Sequence, residues 1–202
     1  APVGSFGDAA CFSFYPTKNM TTGEGGMVVT DDPDAADRAA RFVNHGRAAD
    51  GYDHVDLGHN FRMTSIAAAM GRVQLEKLPG FVERRRENAA RLDEHLAGTP
   101  FVTPTAPEGR RHAYHQYTVR CGNRDEVREA LDERGIGTGV YYPATIPDQP
   151  AFEGVEADVP VARRLADEVL SVPVHPGLST ADVDRIGRTL ASDVEVEEVA
   201  HV

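Results

Sequence analysis

An amine, a hydroxyl and a glycine-rich turn occur within one short stretch near the start of this sequence. Lys18 follows Ser13 by five residues, and residues 23–26 read Gly-Glu-Gly-Gly. A lysine amine in a partly desolvated pocket loses proton affinity and can attack a carbonyl carbon to form a Schiff base. A nearby hydroxyl and free backbone N–H groups can hold a phosphate. On spacing alone, a solvated loop lysine is the simpler interpretation of Lys18.

The histidines do not have the spacing of a metal site. Five of the eight fall into two groups, namely His45, His54 and His59, then His112 and His115. None of them has the paired Cys/His spacing of structural zinc sites or the H-E-x-x-H pattern. The sequence therefore predicts no metal centre.

The two cysteines point to a reduced protein. Cys11 and Cys121 lie far apart and form no C-x-x-C motif. We interpret both as reduced thiols in the core.

Length and charge limit the classes of partner. The chain has 202 residues, of which 41% are hydrophobic, and 32 acidic against 21 basic residues give a net charge of −11. That length allows one large domain or two small ones without disulfides. The acidic balance repels phosphate backbones and anionic lipids, which argues against nucleic acid and membrane partners. No apolar run approaches the roughly 18 residues of a membrane span, and no signal peptide is recognisable, so we expect a cytoplasmic protein.

The first half of the sequence contains the elements that would position Lys18. Residues Phe12 to Thr30 have the pattern of strand, loop and strand, and Asp34 to Phe42 have helical spacing that ends before Gly46. Residues Arg47 to Arg62 show no periodicity and predict a long loop.

Two tandem helices are predicted after that loop. Thr64 is a good N-cap for a helix over 65–78, Pro79 would end it, and a second helix would run over 81–98. The tandem pair would therefore connect the two halves of the sequence.

The second half alternates between strands and helices. We expect strands over 113–121, 136–142 and 171–174, helices over 124–134, 160–170 and 180–190, and a solvated acidic tail over 193–202. Asn123 with Glu126 would form a capping box, and Thr180 would cap the last helix. This change of character places a domain boundary between residues 88 and 89.

Several motifs, taken in order, identify a family. The run Gly4 to Thr30, GSFGDAACFSFYPTKNMTTGEGGMVVT, closely resembles the Schiff-base lysine segment of the DegT/DnrJ/EryC1/StrS family, which are pyridoxal-phosphate-dependent sugar aminotransferases of fold type I. Further matching segments are Asn44–Arg47, Leu57–Met63, Ala67–Leu78, Arg134–Pro143 and Leu170–Gly177. The resemblance covers nearly the whole chain. It implies an α/β fold in which residues 1–88 form the rear part of the large domain and residues 89–202 the small C-terminal α/β domain.

The resemblance assigns roles to three residues. Lys18 would hold pyridoxal 5′-phosphate as an internal aldimine and then move a proton between substrate and cofactor. Ser13 would bind the cofactor phosphate. Asn60 would reach the phosphate of the neighbouring subunit, which implies a homodimer with shared active sites.

Other positions leave alternatives open. Arg62 is a candidate anion or substrate contact, and a surface ion pair is the competing interpretation. His45 and His175 lie in family motifs and could line the substrate pocket or serve packing and capping. Pro147 stands where the family usually has a histidine, so substrate contacts cannot be transferred to this loop.

The resemblance also implies that parts of the site lie outside this sequence. In the family, the phosphate-cupping helix start, the ring-stacking aromatic and the carboxylate at the pyridine nitrogen precede the segment matched here. We therefore expect a C-terminal half or more of an aminotransferase, inactive as an isolated fragment.

Two functions follow from this resemblance. The implied reaction moves an amino group from glutamate or glutamine to a keto group of a nucleotide-linked sugar. The alternative is a truncated, non-catalytic interaction or regulatory module.

Overall fold

Two compact units divide the chain at residue 79, one spanning Ala1–Pro79 and the other beginning at Gly80. A computed structural model describes residues 1–200. The elements, in chain order, are β1 (Ala10–Ser13), β2 (Gly26–Val29), α1 (Pro33–Val43), α2 (Ser65–Leu96), β3 (Tyr117–Arg120), α3 (Arg124–Glu133), a 3-10 turn (Pro150–Phe152), α4 (Pro160–Glu168), β4 (Val169–Val172) and α5 (Thr180–Ser192). No helix within residues 1–200 has the length and apolar character needed to cross a membrane.

The first unit begins with an antiparallel hairpin. Strand β1 pairs with β2 so that Ala10 lies opposite Val29 and Ser13 opposite Gly26. Helix α1 follows directly, with Pro33 in its first turn and the Asp32 carboxylate accepting a hydrogen bond from the backbone N–H of Asp34 at 2.8 Å. These elements confirm the predicted strand, loop, strand and helix, because each end carries a local signal.

Helix α2 corrects the prediction of two tandem helices. The hydroxyl of Thr64 accepts a hydrogen bond from the N–H of Ala67 at 3.1 Å, which confirms Thr64 as the predicted cap. Pro79, however, lies inside one continuous helix. A proline removes one helical hydrogen bond, at a cost of about 3 kcal/mol, and long helical segments on both sides can bear that loss. The compact units divide at this proline, whereas the domain boundary at 88 and 89 stays a prediction.

The second unit contains the hydrophobic core. Strand β3 pairs antiparallel with β4, so that Tyr117 lies opposite Val172 and Arg120 opposite Val169. The core side chains come from these strands and from the helices around them. They include Leu92, Leu96, Val119, Leu131, Leu170, Val183, Ile186 and Leu190.

Single bridges flank this strand pair on both sides. Val102 exchanges two backbone hydrogen bonds with Arg120, and Gly139 exchanges two with Ser171. The predicted strand over 136–142 is therefore wrong, since only this one bridge forms there. Gly137 and Gly139 in close succession weaken strand pairing. The predicted strand over 171–174 instead occupies Val169–Val172, and α4 ends at Glu168.

Two predicted caps are displaced. The carboxamide of Asn123 donates to Glu126 at 3.1 Å, but its oxygen accepts from the N–H of Glu197 at 2.8 Å, so it does not cap α3. The capping box occurs instead at α5, where Ser179 is the N-cap and pairs with Asp182. Thr180 is therefore the first helical residue and not the cap.

The acidic tail is not simply solvated over residues 193–200, and the prediction for residues 201 and 202 lies outside the described residues. Val194 and Val196 pack against the core, and the N–H of Gly122 donates to the carbonyl of Glu197 at 2.9 Å. Apolar residues alternate with acidic ones here, so one side of the segment packs and the other remains in water.

Both cysteines are free, as predicted, but only one lies in the core. Cys121 is buried, whereas Cys11 is exposed on β1. Three of the four β1 residues are exposed. The apolar character of the Cys11 side chain therefore did not predict its burial.

Candidate functional site

The hairpin places Ser13 at the end of β1, directly opposite Gly26. A Cβ atom at Gly26 would lie 2.8 Å from the carbonyl oxygen of Phe12. At Gly25, which has a φ of +148°, a Cβ would lie 2.6 Å from the hydroxyl of Thr22. The glycine-rich turn therefore permits a close backbone approach beside the serine.

Hydrogen bonds through Tyr15 link the backbone of Lys18 to the side chain of Ser13. The backbone N–H of Lys18 donates to the carbonyl of Tyr15 at 3.0 Å, and the N–H of Tyr15 donates to the hydroxyl of Ser13 at 3.3 Å. Lys18 is half-buried, and no carboxylate within residues 1–200 lies within 4.0 Å of its amine. The amine is thus not committed to an ion pair.

Helix α2 supports the hairpin loop through contacts that the sequence did not identify. The N–H of Thr21 donates to the side-chain oxygen of Gln74 at 3.4 Å. Thr22 is buried, and a Cβ at Gly71 would lie 3.0 Å from its methyl group. Gly71 and Gln74 belong to the matching segment Ala67–Leu78. The family motif therefore included both residues, but the sequence alone assigned neither of them a role.

A second group of candidate residues lies in the loop after α1. Two glycines bring its ends together: a Cβ at Gly46 would lie 1.8 Å from the carbonyl oxygen of Asp56, and one at Gly58 would lie 2.2 Å from the nitrogen of Gly46. Gly46 also has a φ of +69°. Both positions require glycine on steric grounds. This explains why glycine occurs at these positions of the two motifs.

The two sides of this loop have different chemistry. On one side, the rings of Phe42, His59 and Phe61 contact one another, with His59 stacked on Phe61 at 4.9 Å between centroids. Asn60 and Arg62 alternate with these rings, as extended backbone requires. Arg62 donates from Nε to the Asn60 side-chain oxygen at 3.1 Å and from Nη1 to that of Asn44 at 2.8 Å.

His45 belongs to the same loop. It has a φ of +61°, its N–H donates to the carbonyl of His59 at 2.9 Å, and its carbonyl accepts from Nδ1 of His54 at 2.8 Å. These contacts are backbone contacts that shape the loop. A substrate contact by its ring stays a prediction.

His175 lies in the second unit and is exposed. Its carbonyl accepts hydrogen bonds from the Asn88 carboxamide at 3.1 Å and from the N–H of Leu178 at 3.2 Å. The hydroxyl of Ser179 lowers the pKa of the nearby Asp182 carboxyl, with smaller contributions that include His175. A substrate contact by His175 also stays a prediction.

An open apolar groove between the hairpin and α1 is a separate feature. Phe12, Met27, Ala36 and Phe61 are among its lining residues. Arg62 also lines this groove, but Lys18, Ser13 and Asn60 do not, so we do not assign the cofactor site to it.

The chemistry of the donor groups fits a phosphorylated aldehyde. Within residues 1–200 no three His, Cys, Asp or Glu side chains gather as metal ligands would. Lys18 offers a primary amine, which combines with an aldehyde, while Ser13 and Asn60 offer neutral hydrogen-bond donors suited to a phosphate.

Comparison with known proteins identifies the family. The sequence model of the DegT/DnrJ/EryC1/StrS aminotransferase family matches residues 1–191. A "pleiotropic regulatory protein" of Geobacillus stearothermophilus is 42% identical over 87% of this chain and 49% of its own length. A UDP-N-acetyl-3-dehydro-alpha-D-glucosamine 3-aminotransferase of Acidithiobacillus ferrooxidans is 38% identical over 93% of this chain and 51% of its own length.

A solved structure shows the same fold. DesV of S. venezuelae, in complex with a ketimine intermediate, superposes with a TM-score of 0.89 and 36% identity, covering 96% of this chain and 54% of DesV. The chain therefore has part of the fold type I transferase architecture and spans about half the length of the curated relatives it matches. The family match and the neighbouring structure indicate pyridoxal phosphate as the cofactor.

Proposed function

The chain belongs to the DegT/DnrJ/EryC1/StrS aminotransferase family, and from this premise we propose that it is part of a nucleotide-sugar aminotransferase. The proposed reaction moves an amino group from glutamate or glutamine to a keto group of a nucleotide-linked sugar. Support comes from the aminotransferase activity for which the Acidithiobacillus relative is named and from the fold shared with DesV.

The environment of Lys18 is the observation that carries this proposal. Lys18 is a half-buried residue whose amine has no carboxylate partner within residues 1–200, and backbone contacts through Tyr15 link it to the Ser13 hydroxyl. Only one other lysine, Lys77, occurs in the sequence. An amine without a carboxylate partner, five residues along the chain from a hydroxyl that can donate a hydrogen bond to a phosphate, is suited to carbonyl chemistry.

Each residue has a distinct part in the proposed mechanism. When bound, pyridoxal phosphate supplies an electron sink that weakens the C–H bond beside the substrate nitrogen. Lys18 would hold the aldehyde carbon of the cofactor and, once released, carry the proton to and from the substrate carbon. The Ser13 hydroxyl would donate to the phosphate.

Asn60 would serve the site of a second copy of the chain. Within residues 1–200, no hydrogen bond joins Asn60 to Lys18 or Ser13, and Asn60 is exposed. An exposed amide on a loop shaped by close glycine contacts can reach across a homodimer interface. Arg62, His45 and His175 stay proposed contacts for the substrates or their anionic groups.

A non-catalytic regulatory module is the second candidate function. The regulatory name of the Geobacillus relative favours it. The two functions differ in whether Lys18 reacts, so one experiment separates them.

Borohydride reduction tests the role of Lys18. The protein as its gene encodes it is mixed with pyridoxal phosphate, reduced and digested, and the labelled peptide is identified by mass spectrometry. We expect label on Lys18 and complete loss of amino-group transfer in Lys18→Ala, with thermal stability nearly unchanged because a loop amine contributes little packing.

Lys77→Ala is the matched control, since it removes the other lysine from helix α2. It should retain label and transfer activity. Label on Lys77 alone would contradict the proposed mechanism, and absence of both label and transfer in the wild-type protein would favour the regulatory module.

A further inference from the structure

We propose that Arg62 and Asn44 are positioning residues that fix the Asn60 carboxamide with its NH2 group directed toward a phosphate. This inference rests on the proposed function. It changes the interpretation of Arg62 from a contact with the ligand to a group that acts through Asn60.

The hydrogen bonds of the Arg62 guanidinium carry the argument. Nε donates to the Asn60 oxygen at 3.1 Å and Nη1 to the Asn44 oxygen at 2.8 Å. No carboxylate within residues 1–200 lies within 4.0 Å of Arg62, so the surface ion pair considered from the sequence does not form there. The guanidinium instead joins two side-chain amides.

The backbone brings these three side chains together. Asn44 and Asn60 form an antiparallel bridge, and the N–H of Phe61 donates to the carbonyl of Val43 at 3.0 Å. The stacked rings of His59 and Phe61 lie on the alternate positions. Alternation along extended backbone therefore leaves Asn60 and Arg62 on the other side, beside Asn44.

The hydrogen-bonded group of Asn44, Arg62 and Asn60, here called the clasp, determines which end of the Asn60 carboxamide is free. A carboxamide can present either an oxygen acceptor or an NH2 donor, and only the donor favours a phosphate. Because Arg62 occupies the oxygen, a flip of the amide would place its NH2 against a cation that has no acceptor. The arrangement thus selects the orientation in which Asn60 donates.

An arginine is needed for this geometry. Its planar fork can hold two acceptors at fixed angles, whereas a lysine is a single flexible point charge. Arg62→Lys would keep the charge and lose the fork. That difference distinguishes positioning from simple attraction of an anion.

Cofactor titration with and without a phosphate group provides the test. Apoprotein of the gene-encoded length is titrated with pyridoxal phosphate and with pyridoxal while absorbance is followed. We expect Arg62→Gln and Arg62→Lys each to weaken pyridoxal phosphate binding about tenfold, and Asn44→Ala severalfold, because a donor to a charged group is misaligned. Binding of pyridoxal should change less than about twofold, since it lacks the phosphate.

A double-variant cycle separates action through Asn60 from direct contact. In an Asn60→Ala background, Arg62→Gln should add less than about twofold, because its target is already gone. Arg38→Gln, which removes an exposed cation from α1 outside the clasp, is the charge control and should bind as wild type.

The outcomes are distinct. Full recovery by Arg62→Lys, additive losses in the cycle, or equal weakening of pyridoxal would overturn the inference while leaving the proposed function intact. If Arg62→Gln does not fold, Asn44→Ala decides the question, and wild-type affinity in that variant overturns the inference. A wild-type protein that binds no pyridoxal phosphate overturns both.

Discussion

The two units of this chain achieve their structure by different means. In residues 1–200, every buried apolar side chain lies in the second unit, between Ala89 and Leu190. The first unit has a buried Thr22 and leaves many of its large apolar residues exposed, including Met27 and Val28 at 48% and 51%. Its organisation depends on a hairpin ladder and close glycine contacts.

The candidate site residues and the hydrophobic core lie in different units. Lys18, Ser13 and Asn60 all lie in the first unit, where side-chain packing is sparse. The second unit has the interlocked core that resists unfolding. A substitution can therefore damage the candidate site with little effect on global stability, or destabilise the chain without touching the site.

The largest expected effect comes from the core of the second unit. Leu170 has no exposed surface. Leu170→Ala in the 202-residue chain should lower the free energy of unfolding by about 2–5 kcal/mol, because it removes buried methyl groups and leaves a cavity. Urea denaturation monitored by circular dichroism measures the change.

Val28→Ala is the matched control in the first unit. This side chain is half-exposed, so its truncation should alter the free energy of unfolding by less than about 0.5 kcal/mol. Equal destabilisation by the two variants would break the comparison between the units.

An intermediate effect is expected from the glycine contacts of the first unit. Gly58→Ala would place a Cβ against the nitrogen of Gly46 and should destabilise the loop over 44–63 by about 1–3 kcal/mol through overpacking. Limited proteolysis should show faster cleavage within this loop.

Gly80→Ala provides the contrast, because a Cβ there has no neighbour within 4 Å and the residue lies in α2. It should stabilise the helix by up to about 1 kcal/mol. Unchanged cleavage of the 44–63 loop in Gly58→Ala would show that close backbone contact does not hold it.

The smallest expected effect is a pH dependence at the surface of the second unit. Arg163 donates three hydrogen bonds to Asp148 and, with Thr145, lowers the pKa of that carboxyl from 3.8 to about 2. Because folding lowers this pKa, the interaction stabilises the folded state at pH values above the ordinary pKa of 3.8. That contribution is lost as the pH falls through about 2.

Asp148→Asn should therefore be less stable than wild type near neutral pH, and the difference should shrink progressively below about pH 4. Urea denaturation across this pH range measures the difference. Asp167→Asn, an exposed acidic residue of α4, is the control and should show no such convergence. A constant difference for Asp148→Asn would exclude the ion pair as its cause.

Local signals account for what the sequence could predict about the fold. Pro33, Thr64 and the glycine-rich turn mark ends of elements, so β1, β2, α1 and the start of α2 were predicted. The errors arose where distant residues compete: the Asn123 oxygen is occupied by the N–H of Glu197, 74 residues away. No local pattern contains that contact.

For the candidate site, too, local motifs were informative and contacts between distant residues were not. Family motifs identified Lys18, Ser13 and Asn60, because each lies in a short recognisable segment. The contact of Arg62 with Asn44 spans 18 residues and depends on how the loop pairs with itself. The sequence named Arg62 but could not assign its partners.

The single bridges beside β3 and β4 also bear on aggregation. An unpaired strand edge is a template onto which a strand of another molecule can add. Val102 occupies the outer backbone groups of Arg120, and Gly139 occupies those of Ser171. Each bridge is too short to offer a long edge of its own, and it blocks the addition of another strand at the residue it covers on each border.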